Sequence, residues 1–142
     1  MTLTAAAVLV PLAVACGSER AGSGSVTAQE PVTGVDWSVD SVTADGATHR
    51  APAAAHVRID NGTARGNYGC NQFSAKATVR GDRIRLSDAR STRMACERER
   101  MAFENTLART LTTGTLIAVT DGDRLTLTAH DGDRVRLTRA PD

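Results

Sequence analysis

The sequence predicts an α+β domain in which an antiparallel sheet or partial barrel is covered by one helix. From residue 34 onward, turn signals recur about every ten residues, and the segments between them alternate polar and apolar residues. A single segment breaks this period and has helical spacing instead. We therefore expect seven or eight short strands and one helix that buries the apolar face of the sheet.

The first strands are predicted at residues 36–42 and 56–60, and Asn61-Gly62 then gives a strong hairpin signal. A Gly-Asp-Arg pattern followed by alternating residues occurs at residues 81–86, 122–127 and 132–137, which is typical of hairpin arms with one solvated face. The residues that this alternation places on inward faces are Trp37, Val39, Val57, Ile59, Ala75, Ala77 and Val79. Residues 116–119 are continuously apolar and predict a central strand that is buried on both faces.

The helix is predicted over residues 97–111, where Met101, Leu107 and Leu111 recur at helical spacing. Acidic residues in its first turn and Arg109 in its last turn complement the helix dipole. Gly114 follows as a stop signal.

The N-terminal segment predicts export and a lipid anchor. Residues 3–15 are uncharged and mostly apolar, which is too short for a membrane span of about 20 residues but fits a secretory signal. Their end, Leu12-Ala13-Val14-Ala15-Cys16, resembles the lipobox of bacterial lipoproteins, in which the cysteine is acylated. We expect a signal peptide at residues 1–15, a flexible tether at 16–33 that begins with lipidated (palmitoylated) Cys16, and a folded domain at 34–142. The protein is then secreted and lipid-anchored on the extracytoplasmic side of the cell membrane.

The other two cysteines, Cys70 and Cys96, form an even pair in an exported domain, which favours a disulfide. Closing a loop of this size is worth about 3–4 kcal/mol. Because Cys96 lies near the predicted helix start with Arg93 and Arg98 close by, a redox-active pair or free thiols are the alternatives.

Two stretches carry a family resemblance. Gly66-Asn67-Tyr68-Gly69-Cys70-Asn71-Gln72-Phe73-Ser74 and Ser91-Thr92-Arg93-Met94-Ala95-Cys96, the latter followed by Met101-Ala102-Phe103-Glu104, resemble the paired motifs of the META domain. This is the family of the bacterial heat-shock protein HslJ, and the resemblance covers about residues 33–139. The matching motif residues are Trp37, Gly69, Asn71, Phe73, Thr92, Arg93, Met94, Met101 and Glu104.

The resemblance implies an α+β fold, an antiparallel and incompletely closed β-barrel with one helix, on exported bacterial proteins. It implies no enzymatic activity, so the motif residues are expected to be structural. We expect Asn71, Arg93 and Glu104 to join the Cys70 loop to the helix start through buried hydrogen bonds. The family usually has an aromatic residue where Ala77 stands, which predicts a smaller core or an open cavity there.

Several functions are disfavoured by the sequence. A formal net charge of +1 argues against nucleic-acid binding. His49, His56 and His130 are scattered and no Gly-x-Ser-x-Gly elbow occurs, so no catalytic residue is expected. No close pair of ligands predicts a metal site, the Asp-Gly segments are expected to be hairpin turns, and no cofactor is expected.

The sequence therefore predicts a non-catalytic, membrane-tethered cell-envelope lipoprotein, a binding or stress-response module. Its expected partners are the membrane, through the lipid, and an envelope protein or hydrophobic ligand. The alternative is a carrier of lipid or peptide that resembles the secretin pilotins and has a cavity of ~300 Å³ or more. The outward-facing arginines Arg83, Arg85, Arg124, Arg134 and Arg136 predict either a solvated face or a contact with anionic lipid headgroups.

Overall fold

A computed structural model describes residues 31–141, which contain nine strands and one helix. The strands are β1 (Asp36–Ala44), β2 (Ala47–Arg50), β3 (His56–Asp60), β4 (Thr63–Asn67), β5 (Gln72–Arg80), β6 (Arg83–Ser91), β7 (Thr115–Asp121), β8 (Arg124–Thr128) and β9 (Arg134–Arg139). The helix, α1 (Arg98–Thr112), lies between β6 and β7. The predictions for the signal peptide at residues 1–15, for Cys16 and for most of the tether fall outside the described residues.

The strands form a closed antiparallel barrel. The order of the sheet is β2-β1-β3-β4-β5-β6-β7-β8-β9, and β1 also pairs with β9. Eight strands thus complete a ring, and β2 is an additional strand that pairs with the second half of β1. The expected α+β class and antiparallel barrel are confirmed, but the expectation that the barrel is incompletely closed is wrong.

A bulge in β1 explains the closure. Val39 lies opposite Leu137 of β9 and Ser41 lies opposite Arg136, so Asp40 is an extra residue on β1. Such a bulge bends the strand and increases its twist. The first half of β1 therefore pairs with β3 and the second half with β2, while β9 pairs with it on the other side.

The helix packs across the end of the barrel at which β6 ends and β7 begins. It starts after the N-cap Glu97 and ends at the C-cap Thr113, within one or two residues of the predicted bounds. Phe103, Leu107 and Leu111 are buried and belong to the same core as the strands. At the other end of the barrel lie the hairpin turns between β3 and β4, β5 and β6, and β7 and β8.

The core fills the barrel with aliphatic side chains and few aromatic rings. The largest fully buried side chains are Trp37, Ile84, Leu107, Leu111, Leu116, Leu125, Leu127, Leu137, Val42, Val57 and Val135. Each barrel strand has one inward face and one outward face, since the helix covers an end and not the outer wall. For this reason the expectation that residues 116–119 are buried on both faces is wrong: Val119 is 53% exposed, whereas Ala118 is fully buried.

One glycine has a steric role in the barrel wall. A Cβ atom at Gly66 would lie 1.9 Å from the carbonyl oxygen of His56 and 3.1 Å from Cε1 of Phe73. Gly66 pairs with Val57 on one side and Phe73 on the other. Its missing side chain therefore lets β3 and β4 approach each other beside the Phe73 ring.

In residues 31–141, the strand pairings and the core cluster lie between Val32 and Arg139. Within residues 31–141, no helix has the length and the hydropathy that crossing a membrane requires.

Candidate functional site

A disulfide between Cys70 and Cys96 joins the loop after β4 to the segment before α1. The structure thus favours the structural disulfide over the redox-active or free thiols that the sequence left open. The bond lies at the helix-covered end of the barrel, beside the motif residues.

Asn71 connects three segments at this end. Its side chain is 3% exposed. Its Nδ2 donates to Glu104 Oε2 at 3.1 Å and to the Met94 carbonyl at 3.2 Å. Its Oδ1 accepts from the Met94 amide at 2.6 Å and from Thr92 Oγ1 at 2.9 Å. The backbone amide of Asn71 also donates to Glu104 Oε2, at 3.3 Å.

The predicted hydrogen-bond link between the Cys70 loop and the helix is therefore present through Asn71 and Glu104. The prediction for Arg93 is wrong, because its side chain is exposed and forms no hydrogen bond or ion pair within the described part of the chain. The backbone and hydroxyl groups of its neighbours Thr92 and Met94 make these contacts instead.

Two motif rings stack beside this network. The rings of Tyr68 and Phe73 are 4.1 Å apart and nearly parallel. Burial, and then the negative charge of Glu104, raise the pKa of Tyr68 to about 12. Gly69 has a φ of +129°, and a Cβ there would lie 3.3 Å from the Phe103 ring. This packing explains why a glycine follows Tyr68.

The remaining motif residues have different surroundings. Trp37 is buried, its Nε1 donates to the Val32 carbonyl at 2.9 Å, and the guanidinium of Arg139 lies 5.5 Å from its ring centroid. Met101 is half-buried on α1, and the Met94 side chain is 59% exposed. Most of the motif thus serves packing and hydrogen bonding inside the domain.

The three histidines lie on separate elements. His49 is on β2, His56 on β3, and His130 in the turn after β8. Across residues 31–141, no three His, Cys, Asp or Glu side chains are grouped closely enough to hold a metal ion.

The five arginines of the predicted stripe lie on the outer wall of the barrel, on β6, β8 and β9. All five are exposed, and none forms an ion pair with another residue between 31 and 141. Their neighbours across β8 and β9 are threonines: Arg124 lies opposite Thr138, and Arg136 opposite Thr126.

Part of this wall is concave. A groove of about 1060 Å³ has β1, β8 and β9 as its floor, with β2 and the loop after it on one side and the end of β7 on the other. Arg50, Arg124 and Arg136 line it, together with Asp40, Asp121 and the hydroxyls of Ser38, Ser41, Thr48, Thr126 and Thr138. Sequence reasoning missed this site because it missed β2, whose four exposed residues have no apolar alternation.

The cavity expected near Ala75 and Ala77 takes a different form. Both alanines are buried members of the core. The concavity that Ala75 lines, about 540 Å³, lies at the bulge of β6 beside Lys76 and Asp88, which form an ion pair on the surface.

A family model of the META domain matches residues 30–142. The chain belongs to the META domain family. A search of curated proteins finds no match. Among solved structures, the META domain of this chain is similar to an NMR structure of a protein from Burkholderia xenovorans, with a TM-score of 0.66 and 19% identity over 78% of this chain and 85% of the other. A second NMR structure has a TM-score of 0.56 and 18% identity over 74% of this chain and 89% of the other. At these identities the likeness shows a shared fold.

Proposed function

We propose that this META domain protein is a lipid-anchored, extracytoplasmic module without catalytic activity that binds its partner on the outer wall of the barrel. One observation carries the proposal: the inside of the barrel is occupied by its own side chains, while a groove of about 1060 Å³ is open on the outside. Trp37, Leu107 and Leu127 are each no more than 1% exposed. A ligand that leaves this packing intact therefore has to bind outside.

The lipid anchor is supported by the sequence before the barrel. The described chain leads into β1 at the end of the barrel opposite α1. Expression with a labelled fatty acid tests the anchor. We expect the wild-type chain to incorporate the label and to sediment with membranes, and Cys16→Ser to do neither. A wild-type chain without label would refute the anchor.

Native mass spectrometry of residues 17–142, secreted into an oxidising compartment, tests where binding occurs. The filled core predicts that no lipid co-purifies with the folded domain. A lipid that is retained in the native state and lost on denaturation would contradict this proposal and favour the pilotin-like carrier. The denatured mass without reductant reports the disulfide in the same experiment.

A further inference from the structure

Two arginines in the outer groove lie diagonally across neighbouring strands. Arg124 is opposite Thr138, and Arg136 is two residues before Thr138 on β9. Diagonal neighbours of this kind are about 7–8 Å apart, and their Cβ atoms are somewhat closer. Both side chains face outward and are exposed, so their guanidinium groups are within reach of one shared anion.

The carboxylates nearby compensate these charges only in part. Asp121 lies opposite Arg124 in the strand register, yet it forms no ion pair with any residue between 31 and 141. Asp40 accepts a hydrogen bond from Thr138 Oγ1 at 2.6 Å. On the β2 side of the groove, Arg50 adds a third guanidinium. Among residues 31–141 the groove thus has three arginines against two carboxylates, so one positive charge remains in excess.

The side chains that line the groove indicate which class of ligand it binds. Guanidinium groups match the oxygens of phosphate in bidentate geometry. Arginines on the floor of the groove and on its β2 side indicate more than one anionic group, which also agrees with a groove much larger than a single phosphate. No aromatic side chain lines the groove, so it offers no stacking surface for a base or a sugar ring. Its hydroxyls suit the oxygens of a polyol instead.

We propose that this groove binds an extended, soluble polyanion in which phosphodiesters link short polyol units, of the poly(glycerol phosphate) type. Arg124 and Arg136, on the floor, hold one phosphate, and Arg50, on the β2 side, holds a neighbouring phosphate. The concave shape disfavours a bilayer, since the phosphates of a flat bilayer lie in one plane. The inference names a ligand class for the outer-wall binding in the proposed function and rests on that part of it.

The test is an NMR titration of ¹⁵N-labelled residues 17–142 with poly(glycerol phosphate) oligomers at low salt. We expect shifts of amides on β1, β8 and β9, and affinity that falls as salt rises. Arg124→Ala and Arg136→Ala should each weaken binding about tenfold. Asp121→Asn should tighten it several-fold, because it removes the carboxylate beside Arg124. The matched control is Arg65→Ala, an exposed arginine on β4 outside the groove, which should bind as the wild type does.

The titration would overturn the proposal if it gave no shifts in the groove, equal weakening by Arg65→Ala, or unchanged affinity in Asp121→Asn, and two other ligands test it further. Poly-glutamate that binds equally well would show that the site selects charge and not phosphodiesters. Arginine-dependent binding to vesicles of phosphatidylglycerol, with no binding of the polymer, would show a membrane contact instead. Wild-type amide spectra outside the groove confirm that each variant is folded. The fatty-acid labelling of Cys16 does not depend on any of these results, so failure of the anchor and failure of the groove are separable.

Discussion

Replacing Asn71 by alanine removes four side-chain hydrogen bonds at the helix-covered end of the barrel. The bond to Glu104 involves a carboxylate and is worth about 1.5–3 kcal/mol, whereas the other three are worth about 0.5–1.5 kcal/mol each. Because Thr92 and Met94 are exposed, water can replace part of the hydrogen bonding that these two residues lose. Glu104 is 5% exposed and keeps only the backbone amide of Asn71. We therefore expect the free energy of unfolding to fall by about 3–4 kcal/mol.

Urea denaturation of Asn71→Ala measures this loss directly, and the melting temperature should fall by about 12–16 °C. Asn105→Ala is the matched control, since Asn105 is exposed on the same helix and should change stability by less than about 0.5 kcal/mol. A loss below about 1 kcal/mol for Asn71→Ala would refute the argument that this side chain holds the loop, the disulfide segment and the helix together.

Three further predictions concern the same domain. Replacing both Cys70 and Cys96 by serine should cost about 3.5 kcal/mol in urea denaturation, because the bond closes a loop between residues 26 apart; a loss near zero would show that the Asn71 network alone fixes the loop. Gly66→Ala should abolish folding or cost more than about 3 kcal/mol by circular dichroism, while Gly81→Ala, in an open turn, should cost about 1–2 kcal/mol; equal losses would contradict the steric role of Gly66. Tyr68 is the sole tyrosine, so its near-ultraviolet titration should report a pKa of about 12, and a midpoint near 10 would contradict its burial beside Glu104. Because the folded-state pKa is the higher one, this contribution to stability is complete below the ordinary tyrosine pKa and is lost as pH rises from about 10 through about 12.

The elements with a strong local period could be predicted from the sequence. The helix was found because Leu107 and Leu111 recur at helical spacing, and the hairpins because Asn61-Gly62 and the Gly-Asp pairs have specific turn chemistry. The disulfide was favoured by counting cysteines. These signals are all local, and the structure adds little to them beyond exact bounds.

The closure of the barrel and the groove could not be predicted in the same way. Closure depends on the bulge at Asp40, which shows no special residue type and appears only as a shift of register against β9. The groove depends on β2, whose four residues are all exposed and give no alternation to detect. The prediction of a buried hydrogen bond for Arg93 was wrong for a related reason. The position of a residue in a motif does not show whether its backbone or its side chain makes the hydrogen bond.

The residues that mark family membership and the residues proposed to bind a partner lie in different parts of this molecule. In the buried part of the motif, Asn71, Phe73 and Glu104 stabilise the helix-covered end of the barrel, and Trp37 packs in the core near the opposite end. Their replacement should therefore reduce stability before it reduces any binding. The groove that we propose as the binding site lies on the outer wall, among residues that the motif does not include. Membership of the META domain family thus explains the fold, and we propose that the arginines of the groove determine the binding specificity of this chain.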